Sequence, residues 1–307
     1  MPRKKTQIII RATLFILCAA ILITVPALVA VTYSDKSDGN ESLTVLTIWQ
    51  IDSFEGGKGS RTSYLQNIGS DFAKAGGCYI NVISMTSSAA LNNIALGTIP
   101  DMISYGAGMY GIENIICGKT TYFTWAHGGY CLLTIEENAD FSDISAENTV
   151  INSGIDNLSA AAAILCGLNG AVTEKPTGAY VSLIAGKYKY LLGTQRDIYR
   201  LNTRGVSFKI RPIAEFNDLY QNISITTSNS TRQHLAIEYI NYLLSRSDEL
   251  TKLGLMGQTK LYDGEMAQME NTNYEYKLLS PISEKTRNEI QEAITNSDIK
   301  KLKNLLK

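Results

Sequence analysis

Histidine is nearly absent from this chain: His127 and His234 are the only two in 307 residues. So few, so far apart, they supply neither a histidine-rich metal site nor a Ser–His–Asp arrangement. There is no G-x-S-x-G nucleophile elbow. The glycine-rich stretch E-G-G-K-G-S at residues 55–60 lacks the spacing of a phosphate-cradling G-x-x-x-x-G-K-[ST] loop. Asp52 and Glu55 form a carboxylate pair, but no second acidic motif stands to oppose them, as glycoside hydrolysis requires. A surplus of one charge is missing too. Lys and Arg number 28 against 29 Asp and Glu, so no polybasic surface for nucleic acid is expected. Cys18, Cys78, Cys117, Cys131 and Cys166 are too widely spaced for a C-x-x-C motif. The last four could form two disulfides outside the cell, or remain buried thiols, which their apolar surroundings favour. Together these gaps point to a protein that binds rather than catalyses, with no cofactor and no metal.

What is present begins with a long apolar run. Arg3, Lys4 and Lys5, with Arg11 beyond them, precede residues 12–31, which contain no charge. About 20 apolar residues suffice to span a bilayer as a helix, whereas a secretory core is usually about 7–15. The basic flank should remain cytoplasmic and the rest should lie outside. Two readings stand for residues 1–32, an uncleaved anchor or a signal segment cut after Ala30. Cys18 follows Leu17, not the small residue that lipidation needs. Residues 33–42, Y-S-D-K-S-D-G-N-E-S, have no apolar period and read as a linker.

The body alternates strand and helix patterns, which implies an α/β fold with parallel pairing. Strands are expected at residues 43–50, 79–84 and 101–105, and helices near residues 64–73 and 89–96. A second block follows, with helices at 158–168, 179–185 and from 193, and strands at 188–192 and 206–213. A strand at 222–226 precedes a helix over 231–244, whose Leu235, Ile237, Ile240, Leu243 and Leu244 are expected to share one face. Residues 286–294 and 299–306 read as amphipathic helices with a solvated lysine face. Ligands of such sheets bind beyond the carboxyl ends of the strands.

Five segments carry a family resemblance. They are residues 43–61, with L-T-I-W-Q-I-D-S-F-E-G-G-K-G-S-R; residues 97–106, G-T-I-P-D-M-I-S-Y-G; residues 125–134, W-A-H-G-G-Y-C-L-L-T; residues 186–197, G-K-Y-K-Y-L-L-G-T-Q-R-D; and residues 222–226 with the later Y-I-N-Y-L-L-S. In this order the chain resembles the extracellular solute-binding proteins of bacterial ABC importers, of the maltose-binding, carbohydrate-receptor type. The resemblance implies a two-lobed, type II periplasmic-binding-protein-like fold. Lobe 1 would comprise 43–128 and 223–260, lobe 2 129–222, and 261–307 would pack on the lobes as C-terminal helices. Residues 125–134 would cross between lobes, and the chain would return near 222–226. The stretches 111–122 and 134–157 look trimmed against the family, which leaves the ligand class more open than the fold.

The implied ligand is a small polar solute, a sugar or oligosaccharide. Sugars offer C–H faces to aromatic rings and hydroxyls to amides and charges. Trp49, Asp52, Glu55 and Tyr105 are the candidates on one lobe and Gln195 and Arg196 on the other, with Trp125 and Tyr130 on the crossing. Tyr105 falls where the resemblance places a stacking ring. Core packing is the alternative for every aromatic, and pairing within the helix for Arg196. The implied partner is an ABC permease on the extracytoplasmic face of a cell membrane. A membrane-anchored sensor using the same fold to signal is the alternative.

Overall fold

The computed structural model describes residues 44–51, 60–106, 122–153 and 158–307. Two five-stranded sheets organise it. The first contains β1 (Val45–Ile51), β2 (Tyr79–Met85), β3 (Met102–Gly106), β4 (Tyr122–His127) and β11 (Tyr220–Ile225), in the order β2-β1-β3-β11-β4. The second contains β5 (Tyr130–Thr134), β6 (Thr149–Asn152), β7 (Val172–Glu174), β8 (Tyr190–Thr194) and β9 (Lys209–Pro212), in the order β7-β6-β8-β5-β9.

The sheets share one plan. In each, three parallel strands come first: β1 pairs with β2 and β3, and β6 pairs with β7 and β8. Next to them lies an antiparallel strand that brings the chain in from the other sheet, β11 in the first and β5 in the second. The outermost strand, β4 or β9, carries the chain out again. This exchange of antiparallel strands is the two-lobed periplasmic-binding-protein-like architecture. It requires two crossings, residues 127–130 and 213–220.

Local chemistry explains the helices. Ser60 caps α1 (Arg61–Lys74) by accepting the Ser63 N–H, and Tyr64, Leu65, Ile68 and Phe72 bury one stripe. Thr86 caps α2 (Ser87–Ala95) in the same way, and Gly97 follows it at φ +81°, a left-handed backbone that a side chain would strain. α3 spans Ser159–Leu165, and α4 (Pro176–Ile184) opens on proline, which has no N–H to leave unpaired there. At α5 (Gln195–Thr203), Thr194 and Asp197 form a capping box. α6 (Ser230–Ser245) buries Ala236, Tyr239, Ile240 and Leu243. Ile237, expected on that face, is exposed instead, because the stripe runs one residue earlier than the leucines suggest.

After a 3₁₀ turn at Ser247–Leu253 the chain makes α7 (Gly264–Glu270). Then β12 (Tyr276–Lys277) pairs with β10 (Phe216–Asn217) beside the second crossing. α8 (Glu284–Thr295) and α9 (Ile299–Leu305) pack on each other and on α3, burying Ile290, Ala293 and Leu302.

Three expectations change. Residues 125–134 are not one strand: Gly128 and Gly129 break them into β4 and β5, in different sheets. Residues 222–226 lie inside the first sheet, and the return crossing comes earlier. Within the supposedly trimmed stretch lies β6, a strand with neighbours on both sides. The apolar run at 12–31 and the linker at 33–42 lie outside the described residues. Among the described residues no helix is long and apolar enough to cross a membrane.

Candidate functional site

Strand alternation decides which way each β1 and β3 side chain points. Trp49, Ile51, Ile103 and Tyr105 share one face and form a cluster with Ala90 of α2. Tyr105 is 0% exposed and its hydroxyl bonds the Ser224 hydroxyl at 3.1 Å. Trp49 is 3% exposed. Trp125 stacks on Tyr64 with ring centroids 5.7 Å apart, and its indole N–H donates to Ser104 Oγ at 3.0 Å. Tyr130 stacks on Phe216 and donates its hydroxyl to Asp218 Oδ1 at 2.7 Å. All four aromatic candidates are therefore enclosed in this structure. Asp52 and Glu55 lie outside the described residues. Arg196 is half-buried, and its backbone N–H donates to Thr194 Oγ1.

Gln195 is the candidate that reaches the crossing. Its Oε1 accepts the Gly129 N–H at 3.0 Å, and the side chain is fully buried. Among the described residues Gln195 Nε2 has no hydrogen-bond partner. Asn152 and Gln221 each leave a buried polar atom in the same condition, as do other side chains including Thr62 and Tyr274. Asn152, the last residue of β6, gives its Nδ2–H to Asp197 Oδ2 at 2.8 Å, but its Oδ1 is unpartnered. Gln221 gives Nε2–H to Ser104 Oγ at 3.2 Å and to Ile51 O at 3.3 Å, while its Oε1 is unpartnered.

These three unpartnered atoms share a topological address. Asn152 ends β6, Gln195 follows β8, and Gln221 lies beside Gly106, the end of β3. They mark the carboxyl edges of parallel strands in both sheets, where such sheets take ligands. A buried polar group without a partner costs about 1–3 kcal/mol, so each of the three is a costly position in the structure. Gln195 also lines a cavity of about 290 Å³ with Tyr199, Asn202, Gly254, Tyr262 and Asp263. The sequence singled out Gln195 but not Asn152 or Gln221, because polar residues inside apolar strands look like ordinary ladder positions until the register is known.

Three buried titratable groups lie on these elements and the crossings. Asp197 accepts the Thr194 N–H, the Asn152 amide and Arg200 Nη1, yet burial still pushes its carboxyl up from the ordinary value. Asp218 accepts the Tyr130 hydroxyl and the Leu158 N–H, and burial pushes it up to about 6. His127, at the end of β4, is held below its ordinary value by burial, against the pull of the Gly128 and Gly257 carbonyls. Cys78, Cys131 and Cys166 are free thiols. Among the described residues, no group of three His, Cys, Asp or Glu could hold a metal ion.

No family model and no curated protein matches the chain. Among solved structures 924 chains match. One of them, iron-bound HitA from Pseudomonas aeruginosa, is 11% identical, with 76% of this chain and 93% of that one covered at a TM-score of 0.49. The strand order, not this overlap, assigns the two-lobed fold.

Proposed function

We propose that the protein is an extracytoplasmic solute-binding receptor, closing its two lobes on a small polar ligand for delivery to an ABC importer. The observation that carries this reading is the set of unpartnered buried atoms, Asn152 Oδ1, Gln195 Nε2 and Gln221 Oε1, at the carboxyl edges of both sheets. One donor and two acceptors suit hydroxyl groups, which can do both. A polyhydroxylated ligand, a sugar or oligosaccharide, is therefore the proposed solute, consistent with the family that the sequence resembles. Arg196, Asp52 and Glu55 are proposed as further contacts. The closing bodies are the two sheets with their helices, hinged at 127–130 and 213–220, and residues 12–31 hold the receptor at the membrane.

A thermal-shift screen of mono- and oligosaccharides tests this reading, because a ligand that binds only the folded state raises the melting temperature by mass action. A saturable rise that Gln195→Ala removes supports it. A full panel without a shift rejects the carbohydrate assignment, and a rise that is the same in Gln195→Ala rejects the site.

A further inference from the structure

β2 is an edge strand of the first sheet: among the described residues it pairs with β1 alone. Such an edge presents a row of backbone N–H and C=O groups to any strand that comes alongside. Proteins commonly blunt it with lysine, proline or a bulge. β2 has none of these. Its sequence, Y-I-N-V-I-S-M, carries no charge and no proline, and its register with β1 runs unbroken from Val45↔Tyr79 to Ile51↔Met85. Tyr79 and Ile83 are exposed on the face away from α1. Short uncharged segments of high β-propensity are the ones that add strands.

One side chain closes this edge. Gln66 of α1 gives its Nε2–H to Ile80 O at 2.8 Å, and its Oε1 accepts the Val82 N–H at 3.0 Å. A single amide thus makes the two bonds that one residue of a parallel neighbouring strand makes. Gly69, one helical turn later, brings it within reach. A Cβ at residue 69 would lie 2.6 Å from Ile80 Cβ and 3.1 Å from both of its Cγ atoms. Only glycine lets α1 settle this close to β2. The Q-x-x-G spacing at residues 66–69 therefore acts as one device: Gly69 sets the distance and Gln66 spans it.

We propose that Gln66 guards a self-association surface, the β2 edge, which without the amide takes the β2 of a second copy of this chain. Backbone direction alternates along a strand, so Ser84, which is exposed, presents its N–H and C=O on the same side as Ile80 and Val82. A two-fold antiparallel pair centred on Val82 sets Asn81 opposite Ile83 and Tyr79 opposite Met85, with no like charges to oppose it. The inference stands apart from the receptor reading.

The test follows the mass of the full-length chain and of its Gln66→Ala variant in the same detergent micelles, by sedimentation velocity at rising protein concentration. Gln66→Ala should dimerise about tenfold or more tightly than the parent, because the two bonds to Gln66 no longer have to break first. Adding Ile83→Lys, which puts a charge on the exposed face of β2, should return that variant to the parent's behaviour. The proposal is overturned if folded Gln66→Ala associates no more than the parent, or if Ile83→Lys leaves its association unchanged. Should Gln66→Ala not fold, Gln66→Met, which keeps the chain length without the amide, decides by the same two outcomes.

Discussion

Gln195, the first residue of α5, holds Gly129 on the crossing: its Oε1 accepts the Gly129 N–H at 3.0 Å, with both groups shielded from water. The neighbouring Gly128 has no room for a side chain, because a Cβ there would lie 2.5 Å from the Gln195 amide. The crossing is further tied by the Gly128 N–H to Leu219 O at 2.6 Å and by Asn217 Nδ2–H to Gly128 O at 2.9 Å. Backbone and side chain thus lock together at the first crossing.

Gln195→Ala should destabilise the fold by about 1–3 kcal/mol, since it leaves the buried Gly129 N–H without an acceptor. Gly128→Ala should cost about the same, because its Cβ displaces the Gln195 amide and breaks the same bond. The two changes together should cost less than their sum, since truncating Gln195 vacates the space that a methyl group on residue 128 needs. Urea unfolding of the two single variants and the double variant gives the comparison; strict additivity would mean that the two sites do not share one interaction.

Tyr105→Ala should act on stability. The ring is fully enclosed with Trp49, Ile103 and Ala90, and truncating a buried aromatic costs about 3–5 kcal/mol. Tyr105→Phe keeps the ring and removes the hydroxyl contact with Ser224, which is worth about 0.5–1.5 kcal/mol. Solute affinity, measured by calorimetry on Tyr105→Phe, should match the parent. A tenfold loss of affinity with little loss of stability would return Tyr105 to the ligand site.

The sequence revealed what periodicity encodes. Helical spacing at Tyr64, Leu65, Ile68 and Phe72 located α1, and apolar runs located β1, β2, β3 and β8 to within a few residues. The family resemblance treats W-A-H-G-G-Y-C-L-L-T as one crossing strand although its Gly-Gly pair is a turn signal, and sheet membership then separates its halves. β6 was hidden because T-V-I-N is only four residues long. For the site the limit was different in kind. An aromatic residue at a strand end has the same local pattern whether it faces ligand or a covering helix, and α2 over Trp49 and Tyr105 is a tertiary fact. Asn152 and Gln221 became visible only through what their side chains lack.

His127 should make the protein less stable in mild acid. Burial holds its imidazole below the ordinary value of 6.5, although the two carbonyls and the charge of Glu270 oppose that shift. The unfolded chain therefore takes up a proton that the native state refuses as pH falls below 6.5. The contribution is intact above that pH and is lost as pH falls through the depressed folded-state value. Melting temperatures of the parent and His127→Gln between pH 5 and pH 8 should converge toward acid. Parallel curves would remove His127 from the account.

Asp218 should push the other way. It lies fully enclosed, accepting the Tyr130 hydroxyl at 2.7 Å and the Leu158 N–H at 2.8 Å, and these bonds do not fully offset the loss of water around its charge. Its carboxyl is raised from the ordinary 3.8 to about 6, so between those values the native state holds a proton that the unfolded chain has released. Its stabilising contribution is complete below pH 3.8 and is lost as pH rises through 6, a change on the order of 2–3 kcal/mol for a shift of this size. The opposite sign separates it from His127: Asp218→Asn should flatten the loss of stability between pH 4 and pH 6, whereas His127→Gln should leave that loss in place and expose it more clearly. Urea unfolding at half-unit steps across this range, on both variants, resolves the two contributions. If Asp218→Asn instead steepens the fall of stability toward pH 6, the carboxyl is not the group that titrates there.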